Sequence, residues 1–217
     1  MQSAVVFLGP SLDRAAARAI LEADYRPPAA RGDLTRAVGD GAGVIGLIDG
    51  VFFQESSVGH REILAALRAG VRVVGASSMG ALRAAELHTL GMEGVGEVFR
   101  MYRDGVLVSD DEVALAFDPE SGTALSEPLV NIRATLDRAE VEGVIDRAAG
   151  EALLAAAKAL YYPDRTWPRL VRDAGRSADP EAISRFGRWV ETGAVDLKRE
   201  DAIEALGRIR AILGEAR

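Results

Sequence analysis

The feature that most constrains the fold is a series of three short, continuously apolar runs, each closed by a turn and followed by a helical pattern. The runs cover residues 4–8, 44–48 and 71–74. Strands that are apolar along their whole length and alternate with helices are typical of a parallel sheet covered on both faces. The N-terminal half is therefore predicted to be α/β, a small parallel sheet flanked by helices.

The pattern changes after about residue 105. Residues 113–117 and 123–130 predict a β-hairpin, and helical patterns dominate from residue 130 to the end. We therefore expect two regions. Residues 1–105 form an α/β domain that carries a serine-containing turn, and residues 106–217 form a hairpin plus a mostly helical C-terminal part packed on that domain.

Composition excludes several classes of function. The chain has 26 basic and 33 acidic residues, a net charge of −7, whereas nucleic-acid binding requires clustered positive charge. Without cysteine and with two histidines, it has no thiolate ligand or cysteine nucleophile, and we expect no metal and no cofactor. No signal peptide is evident and no apolar run approaches the ~20 residues of a membrane span. The sequence thus predicts a cytoplasmic protein that contacts neither nucleic acid nor membrane.

The segment that carries chemistry is a strand, a tight turn of small residues and a helix, over residues 73–86. Residues 76–80 read Ala-Ser-Ser-Met-Gly, a variant of the G-x-S-x-G nucleophile elbow with alanine in the first glycine position. Such a turn holds Ser78 at the carboxyl edge of the sheet, in front of the positive end of the following helix. Ser78 is the predicted nucleophile, and the Met79 N–H is the predicted oxyanion donor. Ser77 is the competing serine, or simply the helix N-cap.

Two further turns are expected at the same edge, because the carboxyl ends of parallel strands lie together. Gly9 and Ser11 follow the first strand, and Asp49 and Gly50 follow the second. We predict that these residues and Ser77 line a substrate cleft, with the Gly50 N–H as a second oxyanion donor. The alternatives are that Ser11 is a helix N-cap, that residues 49–50 are an ordinary turn, and that the glycine-rich turn holds a phosphate.

A serine nucleophile needs a base. Asp49 and His60 could complete a Ser-His-Asp set, and a Ser–Lys pair is the other route, which requires a desolvated lysine. Lys158 lies in an unusually apolar helix and is the preferred lysine, while Lys198 lies in an exposed-looking charged stretch. The alternative for Lys158 is that it faces solvent together with Glu151.

Several of these stretches together resemble the TfuA-like proteins, the partners of YcaO enzymes in peptide backbone thioamidation. The similar segments are residues 6–12, 47–50, 58–64, 75–87, 91–96 and 110–114. The resemblance implies hydrolysis of a thiocarboxylated ThiS-type sulfur-carrier protein, which releases sulfide for the YcaO enzyme. It also implies a Ser–Lys pair, which falls here on Ser78 and Lys158. The implied partners are a YcaO-type enzyme, a ThiS-like carrier and a precursor peptide.

Other classes of function stay open at this point. The chain could be a non-catalytic adaptor that bridges YcaO, carrier and precursor peptide. It could also be a general serine acyl hydrolase or peptidase, because the serine turn resembles that of Clp-type peptidases. A nucleotide-binding module is the fourth reading.

Overall fold

The computed structural model describes residues 3–52 and 56–215. Contacts divide the chain into two compact units, one of Met1–Asp110 with Lys198–Arg217 and the other of Asp111–Leu197. The last helix, which the sequence groups with the C-terminal region, thus belongs to the unit that contains the sheet. We call these parts the sheet unit and the helical unit.

The sheet unit is built on a parallel sheet, which confirms the α/β prediction. The described residues form five strands: β1 (Ser3–Phe7), β2 (Asp24–Arg26), β3 (Ala42–Leu47), β4 (Arg72–Gly75) and β5 (Glu93–Gly94). Their order is β2-β1-β3-β4-β5. The three predicted strands are the central ones. The edge strands β2 and β5 were not predicted, because β2 has three residues and β5 has two, which is too few to show an apolar run.

Five helices connect and cover these strands: α1 (Arg14–Ile20), α2 (Asp33–Gly39), α3 (His60–Arg68), α4 (Met79–Leu87) and α5 (Glu97–Arg103). Helix α4 lies against β3 so closely that a Cβ on Gly80 would sit 1.7 Å from the Leu47 carbonyl oxygen. The Gly80 N–H donates to the Ile48 carbonyl at 3.2 Å. The absence of a side chain at position 80 therefore sets the start of α4 against the end of β3.

The helical unit contains α6 (Leu129–Val141), α7 (Arg147–Ala159), α8 (Trp167–Ala174) and α9 (Pro180–Gly193). Apolar side chains from all four helices form its core, among them Leu136, Leu153, Leu170 and Phe186. The buried Arg165 donates from Nε to the Ala157 carbonyl at 3.1 Å and from Nη2 to the Leu160 carbonyl at 3.1 Å. Arg165 thereby adds a second donor to the Ala157 carbonyl, which also accepts the Leu160 N–H at 3.2 Å, and supplies a donor to the Leu160 carbonyl at the C-terminal end of α7.

The predicted hairpin over residues 113–130 is largely wrong. One antiparallel bridge, between Phe117 and Ala124, is present there. The Ser126 hydroxyl accepts the Ala116 N–H at 2.8 Å, which removes a donor from the ladder. Pro128, which has no N–H, then forms the N-cap of α6. A side chain and a proline therefore end the pairing after a single bridge.

The final helix, α10 (Leu197–Glu215), covers one face of the sheet. Its buried face supplies Ala202, Leu206 and Ile209 to a cluster that also contains Val6 of β1 and Val44 of β3. The Asp201 carboxylate accepts the N–H groups of Glu97 at 2.7 Å and Val98 at 2.8 Å. The start of α10 therefore lies toward the carboxyl edge of the sheet, where α5 begins.

Candidate functional site

The turn between β4 and α4 is strained at Ser77. This residue has φ of 67°, which makes it the one non-glycine residue in the left-handed region among those described. An L-residue with a side chain pays of order 1–3 kcal/mol for a sparsely populated conformation, and such strain clusters at functional sites. The chain leaves β4 at Gly75 and begins α4 at Met79, so the reversal is confined to three residues.

A buried hydrogen-bond network holds this turn. The Ser77 hydroxyl donates to Ser11 Oγ at 2.8 Å, and the Ser11 hydroxyl donates to Asp49 Oδ1 at 2.7 Å. Asp49 Oδ2 accepts the N–H groups of Gly9 at 2.8 Å and Ser11 at 3.1 Å. The side chains of Ser11, Asp49 and Ser77 are all buried. The predicted convergence of the three turns is thus confirmed, and the carboxylate of Asp49 ties the first turn to the strained residue.

Ser78 differs from its neighbour in having an unoccupied hydroxyl. It is the N-cap of α4, yet its side chain makes no capping hydrogen bond, and Oγ has no partner in residues 3–52 and 56–215. The residue is 2% exposed. Of the two serines, Ser78 is therefore the one whose hydroxyl is not engaged by the described part of the chain.

Two backbone donors near Ser78 are also open. Within the described part of the chain, the N–H groups of Met79 and Gly50 have no acceptor, whereas the Gly80 N–H is occupied by the Ile48 carbonyl. Gly50 packs against Met79, since a Cβ on Gly50 would lie 2.8 Å from Met79 Cγ. The first residue of α4 thus presents its N–H at the positive end of the helix, directly after Ser78.

Two capping predictions are wrong. Asp13, rather than Ser11, caps α1, with its carboxylate accepting the Ala16 N–H at 2.8 Å. Ser77 does not cap α4, because Ser78 occupies that position. Ser11 and Ser77 are instead members of the Asp49 network. A residue in the left-handed region was the feature that sequence reasoning missed, and the abrupt passage from strand to helix was its only signal.

His60 stands apart from the serines. It begins α3, its side chain is half exposed, and Nε2 lies 2.6 Å from Glu86 Oε2. Glu86 also accepts from Arg83 Nη1 at 2.7 Å. The imidazole therefore belongs to a surface ion-pair group. A Ser-His-Asp arrangement of His60 with Ser78 and Asp49 is not formed.

The two lysines have opposite environments. Lys158 lies on α7 in the helical unit and is exposed, as is Glu151, so the alternative that both face solvent is confirmed. Lys198, predicted to be exposed, is instead buried in the first turn of α10 in the sheet unit. That prediction was wrong because positions 198, 201, 202 and 205 share one helical face and all four side chains are buried.

Among the described residues, no group of three or more histidine and carboxylate side chains is arranged to hold a metal ion. In the same part of the chain, no helix combines the length and the hydrophobicity that crossing a bilayer requires.

Comparison with protein families gives one match. The model of the TfuA-like protein family matches residues 49–166, more than half of the 217 residues. The chain belongs to the TfuA-like protein family. The matched region of this TfuA-like protein includes Asp49, Ser77, Ser78 and Lys158, and it ends before Lys198. A comparison with curated proteins finds no match. Family membership supports a role in YcaO-associated thioamidation and a YcaO enzyme as partner.

Proposed function

We propose that this protein hydrolyses a thiocarboxylated ThiS-type sulfur-carrier protein and so releases sulfide for a partner YcaO enzyme. The observation that carries the proposal is the unoccupied Ser78 hydroxyl beside the open N–H of Met79. A nucleophile next to a preorganised oxyanion donor is the minimal equipment for acyl transfer. A precursor peptide bound by the YcaO enzyme is the final acceptor of the sulfur.

The proposed reaction has two steps. Ser78 Oγ attacks the thiocarboxylate carbon and loses its proton to a base. The tetrahedral oxyanion accepts hydrogen bonds from the N–H groups of Met79 and Gly50. When it collapses, the base returns its proton to the sulfur, the C–S bond breaks, hydrosulfide leaves and an ester joins Ser78 to the carrier. Water then attacks that ester, which regenerates the hydroxyl and releases the carrier as a carboxylate.

The Asp49 network supports this chemistry by geometry. Asp49, Ser11 and Ser77 are buried and bonded to one another, so they do not offer groups to a substrate. They hold Ser77 in its left-handed conformation, and this conformation sets the direction in which Ser78 and Met79 leave the strand. We therefore assign these three residues to positioning rather than to substrate binding.

Two lysines are candidates for the base: Lys158 is the one that the family resemblance suggests but is exposed, whereas Lys198 is buried, as the Ser–Lys route requires, in the unit that carries Ser78. The two variants Lys158→Met and Lys198→Met separate them. If Lys158 is the base, its replacement lowers kcat for sulfide release at least 100-fold with unchanged thermal stability, because the side chain is exposed. Loss of activity in Lys198→Met alone assigns the role to Lys198, and full activity in both variants indicates that water, rather than a lysine, takes the proton.

The function itself is tested with the purified protein, a thiocarboxylated ThiS-type carrier and no YcaO enzyme. We expect sulfide to be released catalytically, with the carrier recovered as a carboxylate by intact mass. Carrier binding without sulfide release would identify an adaptor instead. Hydrolysis of simple esters at a comparable kcat/KM would indicate a general serine acyl hydrolase.

A further inference from the structure

A cavity of about 450 Å³ is lined in part by Met79, the residue after the candidate nucleophile, and has no role in the mechanism above. Ligand pockets in proteins typically have volumes of ~300–1,000 Å³, so the space suits a small molecule or a short peptide. All residues that line it belong to the sheet unit: Phe52, Ser57, Met79, Leu82, Arg83, Glu86, Val108, Ser109 and Asp110.

One wall of the cavity is a face of α4. Met79, Leu82, Arg83 and Glu86 are spaced by three, four and seven residues, which places them in a row along the helix. The row begins at Met79, whose N–H is the open donor and which directly follows Ser78 in the chain. A molecule whose reactive carbonyl lies at Ser78 would therefore continue along this wall.

The length of the wall indicates how much of such a molecule it can take. From Met79 to Glu86 a helix rises about 10 Å, at 1.5 Å per residue. An extended chain advances about 3.3–3.6 Å per residue, so about three extended residues span the same distance.

The lining favours an uncharged backbone over an anion. The one arginine, Arg83, is already engaged, since Nε donates to the Val58 carbonyl at 2.9 Å and Nη1 to Glu86 at 2.7 Å. Asp110 makes no ion pair among the described residues. Serine hydroxyls and apolar side chains of Phe52, Leu82 and Val108 supply the remaining surface, which suits amide groups and small side chains.

We propose that this cavity binds the last few residues of an extended peptide whose C-terminal thiocarboxylate lies at Ser78. The inference rests on the proposed function, and it adds the place on the sheet unit where the residues before the thiocarboxylate bind. The carrier protein would thus be recognised partly through its C-terminal segment, by contacts that do not take part in the chemistry.

Two valines provide a matched test. Val108 lines the cavity and is 87% exposed, whereas Val106 is 65% exposed and does not line it. Val108→Trp should occlude the cavity, whereas Val106→Trp adds the same bulk to the same loop. Because both sites are exposed, we expect both variants to melt at the temperature of the unsubstituted protein.

Two substrates are compared. One is a synthetic tetrapeptide thioacid, Ala-Ala-Gly-Gly with a C-terminal thiocarboxylate. The other is thioacetate, which is too short to extend from Ser78 into the cavity. We expect the unsubstituted protein to prefer the peptide at least 10-fold in kcat/KM. Val108→Trp should raise KM for the peptide about 10-fold and leave thioacetate hydrolysis within twofold, and Val106→Trp should leave both unchanged. Equal behaviour of the two variants, or no preference for the peptide, would overturn the proposal.

A binding measurement separates failure of this inference from failure of the proposed function. If no thioacid is hydrolysed, the catalytic proposal fails, and the cavity is then tested with the fluorescently labelled tetrapeptide carrying an ordinary carboxylate. Binding that Val108→Trp weakens at least fivefold and Val106→Trp leaves unchanged would support the peptide site. Absent binding, or equal weakening in both variants, would refute it.

Discussion

The sheet unit and the helical unit use their buried polar groups differently. In the helical unit, the buried Arg165 is engaged with the Ala157 and Leu160 carbonyls and with the Asp111 carboxylate at 2.5 Å. At the carboxyl edge of the sheet, the Asp49 network occupies Ser77, but Ser78 beside it keeps a hydroxyl that nothing in the described chain binds.

This difference distinguishes polar groups that stabilise the fold from polar groups that can react with a substrate. Polar groups that stabilise a fold are satisfied within it, because an unsatisfied buried group costs about 1–3 kcal/mol. A polar group that has no partner within the fold is available to a substrate. Burial alone would rank Arg165 above Ser78 as a functional candidate, whereas hydrogen-bond satisfaction reverses that order.

The comparison within the serine pair predicts the largest effect. Ser78→Ala removes the proposed nucleophile and should lower kcat for sulfide release at least 1,000-fold, with thermal stability unchanged. Ser77→Ala removes one hydrogen bond of the positioning network and should lower kcat about 10-fold. Steady-state sulfide assays on both variants provide the measurement, and equal losses would contradict the division of roles.

The comparison between the units predicts the next effect. Arg165→Met removes the guanidinium from the Leu160 carbonyl and from the Asp111 carboxylate, and we expect the free energy of unfolding to fall by about 4 kcal/mol. Urea denaturation followed by circular dichroism measures it. Arg147→Met is the control, because Arg147 forms an exposed pair with Glu151 and should change stability by less than about 0.5 kcal/mol. A similar small change in both variants would show that Arg165 is not structural.

A buried acid of the sheet unit should make stability depend on pH. Burial raises the pKa of Asp201 to about 6 from 3.8, against the opposing effect of the Glu97 and Val98 N–H groups. The folded state then holds a proton between about pH 4 and 6 that the unfolded state has lost, so this group's contribution declines as pH rises through that window. The loss amounts to about 3 kcal/mol, from ~1.4 kcal/mol per pKa unit.

Asp201→Asn isolates this contribution, because the amide cannot titrate. Urea unfolding at pH 3.5 and pH 7 should show that the unsubstituted protein loses about 3 kcal/mol more than the variant between the two values. Parallel pH profiles for the two proteins would mean that Asp201 titrates near its ordinary pKa.

The smallest expected effect is that of Asp49→Asn. The amide oxygen can still accept the Gly9 and Ser11 N–H groups, but the Ser11 hydroxyl must turn to accept from the new NH₂ group. We expect a loss of about 1.5 kcal/mol in unfolding free energy, as for a hydrogen bond to a charged group. Denaturation midpoints test this, and a loss as large as that of Asp49→Ala would indicate that charge, rather than geometry, holds the turn.

Much of the fold was predictable because its signals are local. The central strands are apolar along their length, and the small residues of the serine turn predict a strand–helix junction. The roles of Ser11 and Lys198 were not predictable in this way. Ser11 and Asp13 both suit an N-cap, and only contact with Asp49, 38 residues further on, decides between them. Lys198 has charged neighbours in sequence, and its burial depends on which face of α10 meets the sheet unit.

At the candidate site, the sequence predicts which turns lie together but not which side chains bond to each other. The sequence indicated that Gly9, Ser11, Asp49 and Ser77 converge, since parallel strands end together. It did not indicate that the side chains of Asp49 and Ser11 would be engaged in the hydrogen bonds that hold Ser77. Which of two adjacent serines stays open depends on one backbone torsion angle, and that angle has no signature in composition or spacing.

The account is tested most directly by the site of covalent labelling. The protein is treated with a fluorophosphonate, digested, and sequenced by tandem mass spectrometry across residues 75–87, where Ser77 and Ser78 are resolved. We predict a single adduct on Ser78 and none on Ser77, with labelling abolished in Ser78→Ala. An adduct on Ser77, or a Ser78 that stays unlabelled in a protein that releases sulfide, would contradict the central claim.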